Sequence, residues 1–336
     1  MKSTNKVFTI SILVGIVVCF GCSKSQKKIN ADQSAFSIEG LTNPIIDGYF
    51  ADPSIVMDEG TFYVYATIDP WGGDSLALFK SVDFKNWERV PLNWPTKAKC
   101  TSPTSNDSRV WAPSVIKGLD GKFHMFVSVG SEVYAGISDS PEGPWRNVKT
   151  DNSPLISTQK ADDIHTIDAE AFIDDDGQAY LYWGSGWDWE DGHLLVARMN
   201  ESMTELTSET HDITPSNYFE APYMLKRDGR YFMMYSFGKC IDETYQVRVS
   251  EAKTPFGPFT EIAESPILST DTARSTVGAG HHTVMEYGGQ NYILYHRIKD
   301  NNQTLLRELC IDSLNFDKHG NMMKVIPNGE VKVFVK

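Results

Sequence analysis

Three carboxylates and one imidazole recur at a single position of an internal repeat. The position falls eight or nine residues before a turn glycine, and in four of five copies it holds Asp52, Asp168, Glu220 and His281. The remaining copy carries Ala112 there. Two carboxylates near one bond can divide acid–base work, because one protonates the leaving oxygen while the other activates water. A third can keep the acid protonated near neutral pH, since a nearby negative charge raises its pKa.

Five segments of the chain share a strand, a tight turn and a second strand. They begin at Ala51, Trp111, Ile167, Phe219 and Gly280, and their turn glycines lie 61, 56, 52 and 60 residues apart. Asp-Gly between apolar runs in the second to fourth copies predicts hairpins. Two further strands follow each of the first four hairpins, which indicates about four antiparallel strands per unit. The repeat therefore predicts an all-β fold, a five-bladed β-propeller.

The first strand of each propeller blade lines the central axis, so equivalent positions of different blades converge there. Clustered like charges repel one another, and proteins seldom maintain them without a function or a bound cation. The carboxylates therefore predict a catalytic centre. Two alternatives stay open: a structural calcium site, since oxygen ligands suit that ion, or solvated strand ends without a function.

Composition excludes one class of ligand. The chain has 31 Lys and Arg against 44 Asp and Glu, a formal net charge of −13. Nucleic-acid binding needs clustered basic residues, and the sequence has no basic stripe. Cys100, Cys240 and Cys310 belong to no zinc-type cluster and are expected to be inert thiols. The acid–base chemistry requires no cofactor, and we expect a monomer that binds carbohydrate.

Residues 1–22 have the pattern of a targeting segment. A positively charged start precedes a mostly apolar stretch from Phe8 to Phe20, which is short for a bilayer-spanning helix. A small residue before Cys22 resembles a bacterial lipoprotein signal, so Cys22 is predicted to carry lipid; a plain secretory signal is the alternative. The lipid would be the only membrane contact, at the cell envelope of a bacterium, periplasmic or outer-surface. Residues 23–40 then form a flexible tether and 41–336 the catalytic propeller.

Three short motifs carry a resemblance to a known family. Ala51-Asp52-Pro53-Ser54, Ile167-Asp168-Ala169-Glu170 and Phe219-Glu220-Ala221-Pro222 occur in order on matching repeat positions. They resemble the base, pKa-modulator and acid motifs of glycoside hydrolase family 43. The resemblance implies Asp52 as general base, Asp168 as pKa modulator and Glu220 as general acid. It also implies a five-bladed propeller that hydrolyses α-L-arabinofuranosyl or β-D-xylosyl linkages of plant-type polysaccharides or oligosaccharides with inversion.

The same resemblance extends to two segments of the fifth repeat. Gly278 to His281 is similar to a family segment whose histidine lies near the axis, below the sugar, sometimes beside a bound calcium. It implies that His281 orients groups there or faces a metal-bound water. Tyr295-His296-Arg297 is similar to the stretch whose arginine contacts the reactive sugar. This implies a substrate contact for Arg297, and an Arg fork suits hydroxyls and carboxylates.

Aromatic residues beside the repeat position are expected to pack against a sugar face. These are Phe50, Trp111 and Phe219. The loop from Trp183 to Trp189 is expected to shape the entrance of the site. His165, by contrast, is expected to be structural or solvated.

Two other functions fit parts of the pattern. A related retaining hydrolase of fructosides carries its nucleophile in an Asn-Asp-Pro-Asn context, whereas this sequence has Ala51-Asp52-Pro53-Ser54. A non-catalytic, cell-surface glycan-binding propeller would keep an aromatic pocket without turnover, although it would not need three axial carboxylates. The leading hypothesis is an inverting exo-acting arabinofuranosidase or xylosidase.

Overall fold

The computed structural model describes residues 36–38, 41–102, 109–158, 164–300, 305–328 and 333–335. Their regular structure is 21 strands and one 3₁₀ turn at Thr272–Arg274. Across these ranges no helix has the length and apolar character needed to cross a bilayer. The predicted lipidation site, Cys22, lies outside the described residues. Strand β1 (Phe36–Ile38) pairs antiparallel with β21 (Val333–Val335), so the end of the predicted tether, residues 23–40, contains a paired strand.

Five antiparallel sheets, each built from strands consecutive in the chain, form the blades. Blade 1 contains β2 (Phe50–Asp58), β3 (Thr61–Ile68), β4 (Ala77–Ser81) and β5 (Glu88–Val90). Blade 2 contains β6 (Val110–Lys117), β7 (Phe123–Val129), β8 (Glu132–Ser138) and β9 (Arg146–Asn147). Blade 3 contains β10 (Glu170–Ile173), β11 (Ala179–Trp183), β12 (Leu195–Arg198) and β13 (His211–Asp212).

Blade 4 contains β14 (Glu220–Arg227), β15 (Arg230–Phe237), β16 (Gln246–Ala252) and β17 (Thr260–Glu261). Blade 5 has three strands, β18 (Gly280–Tyr287), β19 (Gln290–Asp300) and β20 (Leu306–Leu314). The predicted all-β, five-bladed propeller is confirmed. Each inner hairpin turns where the repeat predicts it, and the turn glycines adopt φ between +74° and +87°, which L side chains rarely adopt.

Hydrophobic cores lie between neighbouring blades and join all five into a ring. Apolar side chains of alternate strand positions meet between blades 1 and 2, 2 and 3, 3 and 4, and 4 and 5. A further core closes the ring, with Phe62 and Val64 of β3 packed in one cluster with Tyr292 and Leu294 of β19. Burying each such side chain stabilises the fold by about 1.5–3 kcal/mol, so the ring holds the axial ends of the first strands in place.

The residues that precede β2 bond to β20, the last strand of blade 5. The Ile45 amide donates to the Leu309 carbonyl at 2.9 Å. The Asn43 side chain bonds both backbone groups of Ile311, at 3.1 and 2.8 Å. The outer edge of β20 is therefore covered, as an exposed strand edge usually must be.

Candidate active site

Each blade places one residue in the left-handed region where its first strand approaches the axis. In four blades a β-bulge occurs at this point, and the five left-handed residues are Asp52, Ala112, Asp168, Ala221 and His281. Non-glycine residues rarely adopt this conformation, and it concentrates at functional sites. Glu220 therefore precedes the equivalent position by one residue. The equivalent residue in blade 2 is Trp111. Glu220 pairs with Ser236 in its sheet just as Trp111 pairs with Ser128.

Backbone amides of these axial residues are bonded by side chains of the preceding blade. The bonds run from Ala112 to Thr67 (2.8 Å), Asp168 to Ser128 (3.0 Å), His281 to Ser236 (2.9 Å) and Asp52 to His296 (3.3 Å). In blade 3 the position equivalent to Thr67, Ser128, Ser236 and His296 is Gly184, which has no side chain to make this bond. A Cβ there would lie 2.4 Å from the His193 carbonyl oxygen. The Ala221 amide instead bonds the Asp168 carboxylate. The axial end of each first strand is thus bonded to the preceding blade around the ring.

The axial ends open into a cavity of about 530 Å³. The structure brings Asp52, Asp168, Glu220 and His281 together in its lining. Trp111 and Phe219, expected beside the sugar, also line it. The rest of the lining is mixed, and it includes Trp71, Arg109, His165, Trp187, Asp188, Trp189, Cys240 and Arg307. A concave, mostly apolar site with a few convergent polar groups is typical of small-ligand binding.

Asp52 sits among cationic and hydrogen-bonding groups. Its Oδ1 lies 3.3 Å from Arg307 Nη1, 3.3 Å from His281 Nδ1 and 3.1 Å from His296 Nδ1. The Thr67 hydroxyl donates to Oδ2 at 2.7 Å. Burial opposes ionisation, but Arg307 and the two imidazoles outweigh it and hold the pKa of Asp52 well below its usual range. Asp52 is therefore an ionised carboxylate at neutral pH.

Glu220 has the opposite electrostatic environment. Burial raises its pKa to about 7, and the charge of Asp52 adds to this increase. The Tyr245 hydroxyl donates to Oε1 at 2.7 Å and Ser185 to Oε2 at 3.4 Å, and both bonds favour the ionised form. A carboxyl with a pKa near the working pH can donate its proton and regain it.

Asp168 is the third carboxyl of the cavity, and its pKa responds to the charges of both Asp52 and Glu220. Burial, Glu220 and Asp52 raise its pKa well above the usual range. His281 Nδ1 lies 3.6 Å from Asp168 Oδ2 and 3.3 Å from Asp52 Oδ1, so one imidazole links both carboxyls. Asp168 and Glu220 titrate as an interacting pair, because each charge disfavours the other.

A stacked pair of rings connects the two halves of the site. Tyr245, whose hydroxyl bonds Glu220, stacks on the imidazole of His296 at 5.5 Å between centroids with a 6° interplanar angle. His296 in turn contacts Asp52, and both rings are fully buried. Rigid packing of this kind fixes the separation between the two carboxyls.

The structure corrects four expectations about neighbouring residues. Phe50 does not line the cavity but packs edge-on against Phe79 at 5.0 Å in the core between blades 5 and 1. Arg297 is buried away from it and donates to Glu308 Oε1 at 2.8 Å. His165, expected to be structural or solvated, lines the wall and stacks on Trp187 at 4.0 Å. Within the loop from Trp183 to Trp189, Trp183 itself is core.

Arg307 is the cavity arginine that contacts Asp52, and it was not predicted from the sequence. It bonds Asp52 and makes a two-pronged contact with Asp69, at 2.7 Å for Nη2 and 3.0 Å for Nε. Tyr245 was missed as well. One signal for Arg307 was available in the sequence. It lies in β20, where the charged residues Arg307, Glu308 and Asp312 interrupt a run of apolar residues.

Among the ranges that the structure describes, no three His, Cys, Asp or Glu side chains converge at metal-ligand spacing. Nδ1 of His281 faces two carboxyls. Cys100, Cys240 and Cys310 are buried and unpaired thiols.

A propeller whose axis holds one ionised carboxylate and one proton-donating carboxyl in an aromatic cavity has the parts of an acid–base glycoside hydrolase. Comparison with known proteins agrees. A sequence profile of the glycosyl hydrolases family 43 matches residues 41–322. The chain is 32% identical over 300 residues to β-D-galactofuranosidase xynD of Aspergillus niger, covering 84% of each protein. It is 26% identical over 306 residues to the extracellular exo-α-(1→5)-L-arabinofuranosidase ArbA of Cellvibrio japonicus, covering 80% of this chain and 84% of that one.

A solved structure shares the fold. A thermostable family-43 glycoside hydrolase superposes with a TM-score of 0.70 at 25% identity, covering 86% of this chain and 97% of the other. The chain therefore belongs to glycosyl hydrolase family 43, and it is a glycoside hydrolase.

Proposed function

We propose that this protein is an inverting, exo-acting hydrolase of α-L-arabinofuranosyl or β-D-xylosyl linkages in plant-type polysaccharides or oligosaccharides. Asp52 is the general base, Glu220 the general acid and Asp168 the modulator of the acid. The observation that carries this proposal is the opposite pKa shift of two carboxyls in one cavity, lowered at Asp52 and raised at Glu220. Such a divergence assigns base and acid.

The reaction follows from these states. Glu220 donates its proton to the glycosidic oxygen as the bond to the leaving group breaks. Asp52 accepts a proton from water, whose oxygen attacks the anomeric carbon from the opposite face and inverts it. A carboxylate offers about four lone pairs, and the bond from Thr67 uses only one of those on Oδ2, which supports a role for this oxygen in binding the water.

A cavity at the axis end favours attack at a chain terminus, since it encloses one sugar better than an open cleft does. The wall supports this, because Trp71, Trp111 and Trp187 offer apolar faces while Arg109 and Arg307 offer donors. Two relatives are named for action on furanosides, so galactofuranosides belong in any substrate panel.

The test combines a substrate panel with stereochemistry. Purified protein is assayed on nitrophenyl arabinofuranosides, xylosides and galactofuranosides, and the first-formed anomer is followed by proton NMR. We expect release of a sugar of inverted configuration. Retained configuration would contradict the mechanism, and hydrolysis of no glycoside would favour the glycan-binding alternative.

We also propose that Cys22 is lipidated and anchors a monomeric enzyme to the bacterial envelope. Support comes from the sequence pattern around Cys22 alone. Labelling of the full chain with radioactive palmitate in a bacterial host should give a labelled protein, and Cys22→Ser should remove the label. Label on the Cys22→Ser variant would contradict the proposal.

A further inference from the structure

A second cavity adjoins the active site on the side of blade 4. It has a volume of about 500 Å³, and its lining includes Tyr218, Phe237 and Lys239. Trp189 and Phe219 line both cavities, so these two rings form the boundary between them. None of the three axial carboxyls lines the second cavity, and neither does His281 or Arg307.

The loop that carries Trp189 is held in a strained, fixed conformation. Asp188, Trp189 and Asp191 adopt φ of 53°, 62° and 48°, although residues with a side chain seldom enter this region. Trp187 forms a β-bridge with Glu190 across the loop. Clusters of strained residues are characteristic of ligand clamps, and here they hold a large aromatic ring at the edge of the active site.

The position of the acid decides which part of a substrate reaches this second cavity. A general acid must lie within hydrogen-bond distance of the oxygen that it protonates, so the leaving group begins at Glu220. Phe219 directly precedes Glu220 in the chain and borders the second cavity. The groups around the base, Arg307 and His281, lie on blade 5. A chain leaving the active site past Glu220 therefore meets Trp189 and then the second cavity.

The lining indicates the chemistry of the occupant. Trp189, Tyr218 and Phe237 offer aromatic surface, against which the apolar face of a sugar ring packs. The Lys239 ammonium lies 5.9 Å from the centre of the Trp189 ring, and the carboxylates of Glu190 and Asp191 also border the cavity. One lysine against two carboxylates disfavours an anionic sugar such as a uronic acid.

We propose that this second cavity binds the leaving-group part of the substrate, an uncharged sugar unit joined to the glycosidic oxygen that Glu220 protonates. The inference rests on the proposed function and deepens it. It means that the enzyme acts on oligosaccharides or polysaccharides in preference to glycosides with small leaving groups.

The experiment compares two substrates of the same terminal sugar. One is a nitrophenyl glycoside and the other a linear trisaccharide, α-1,5-arabinotriose or β-1,4-xylotriose, chosen to match the nitrophenyl glycoside that is hydrolysed. The measured quantity is the ratio of kcat/KM for the trisaccharide to kcat/KM for the nitrophenyl glycoside. We expect Phe237→Ala to lower this ratio about tenfold, through loss of an aromatic contact.

Two further variants make the result decisive. Phe256→Ala is the matched control, because Phe256 is also a half-buried ring beneath an arginine but borders neither cavity; its ratio should equal that of the wild type. Glu190→Trp, at an exposed position, should fill the cavity and lower the ratio even if Phe237→Ala fails to fold. Unchanged ratios in both Phe237→Ala and Glu190→Trp would overturn the role of the second cavity and leave the proposed function intact. A wild type that hydrolyses neither substrate would overturn both.

Discussion

Asp52 and Glu220 line one cavity, yet their surroundings give them opposite properties. Three nitrogen groups from Arg307, His281 and His296 converge on one oxygen of Asp52. The hydrogen-bond donors to Glu220 are neutral, from Tyr245 and Ser185, and Arg307 acts on it only through its charge. Burial raises the pKa of both carboxyls, and it is overcome at Asp52 alone. The comparison teaches that the partners, rather than depth in the protein, separate an ionised carboxyl from one that keeps its proton near neutral pH.

The largest expected effect comes from removing each carboxylate in turn. Asp52→Asn and Glu220→Gln should each lower kcat on an unactivated oligosaccharide about 10²–10⁴-fold. On a dinitrophenyl glycoside, whose leaving group needs no proton, Glu220→Gln should recover much of the rate while Asp52→Asn should not. Steady-state kinetics on both substrates check this, with thermal unfolding as the control for folding. Equal losses on the activated substrate would contradict the division of roles.

Removing the positive charge next to Asp52 should bring the pKa of Asp52 closer to that of Glu220. Arg307→Met takes a positive charge from the ionised base, so the pKa of Asp52 rises and the acid limb of the kcat/KM profile moves to higher pH. The alkaline limb moves the same way, because Arg307 also lowers the pKa of Glu220. The free energy of unfolding should fall by about 3–5 kcal/mol, since the carboxylate of Asp69 stays buried without its partner.

Arg297→Met is the control for that variant. It breaks a similar buried pair with Glu308 but outside the cavity, so it should cost stability and leave both limbs in place. A shift of the limbs in Arg297→Met would show that Arg297, and not Arg307, serves the site. pH profiles and urea unfolding of both variants provide the measurements.

Removing a hydrogen-bond donor from Glu220 should widen the difference between the pKa values of Glu220 and Asp52. Tyr245→Phe removes a hydrogen bond that favours ionised Glu220, so the pKa of the acid rises and the alkaline limb moves up by about one pH unit. The acid limb should move less. Tyr235→Phe is the control, because its hydroxyl bonds Ser216 and Ser250 instead. A downward shift in Tyr245→Phe would contradict the assigned direction of this bond.

The smallest effect is expected where Asp52 loses only its hydroxyl donor. Thr67→Val leaves the Ala112 amide without its acceptor and removes one bond to Asp52. The free energy of unfolding should fall by about 1–3 kcal/mol, while the acid limb moves up by less than in Arg307→Met. Urea unfolding and the pH profile test both parts. An acid-limb shift larger than that of Arg307→Met would show that the hydroxyl dominates the pKa.

The sequence predicted the ring of blades because turn glycines repeat at a nearly constant interval. Counting back from them located Asp52, Asp168 and His281 at the residues that turn towards the axis. It placed Glu220 one residue off, because Ala221 holds the left-handed position. Counting residues along the sequence does not detect this difference, because a bulge adds one residue to a strand without changing the pattern on either side.

The choice between Arg297 and Arg307 could not be made from the sequence. In the sheet Arg297 pairs with Glu308, and Arg307 pairs with Ile298 at the next register position. Successive register positions point to opposite faces of a sheet, so the face of each arginine depends on how the two strands align across their loop, which no residue type announces. Tyr245 was equally hidden, because a loop residue before β16 gains its role only from contacts made in the folded ring, with Glu220 of its own blade and His296 of the next.

The base depends on partners from the far end of the polypeptide. His296 is 244 residues from Asp52 along the chain, and Arg307 is 255 residues away. During synthesis the carboxylate is made early and its nitrogen partners late. Until they arrive, burial in a partial ring would push its pKa up rather than down. If Asp52 is the base, turnover begins only when the final blade docks, and activity itself reports that assembly is complete.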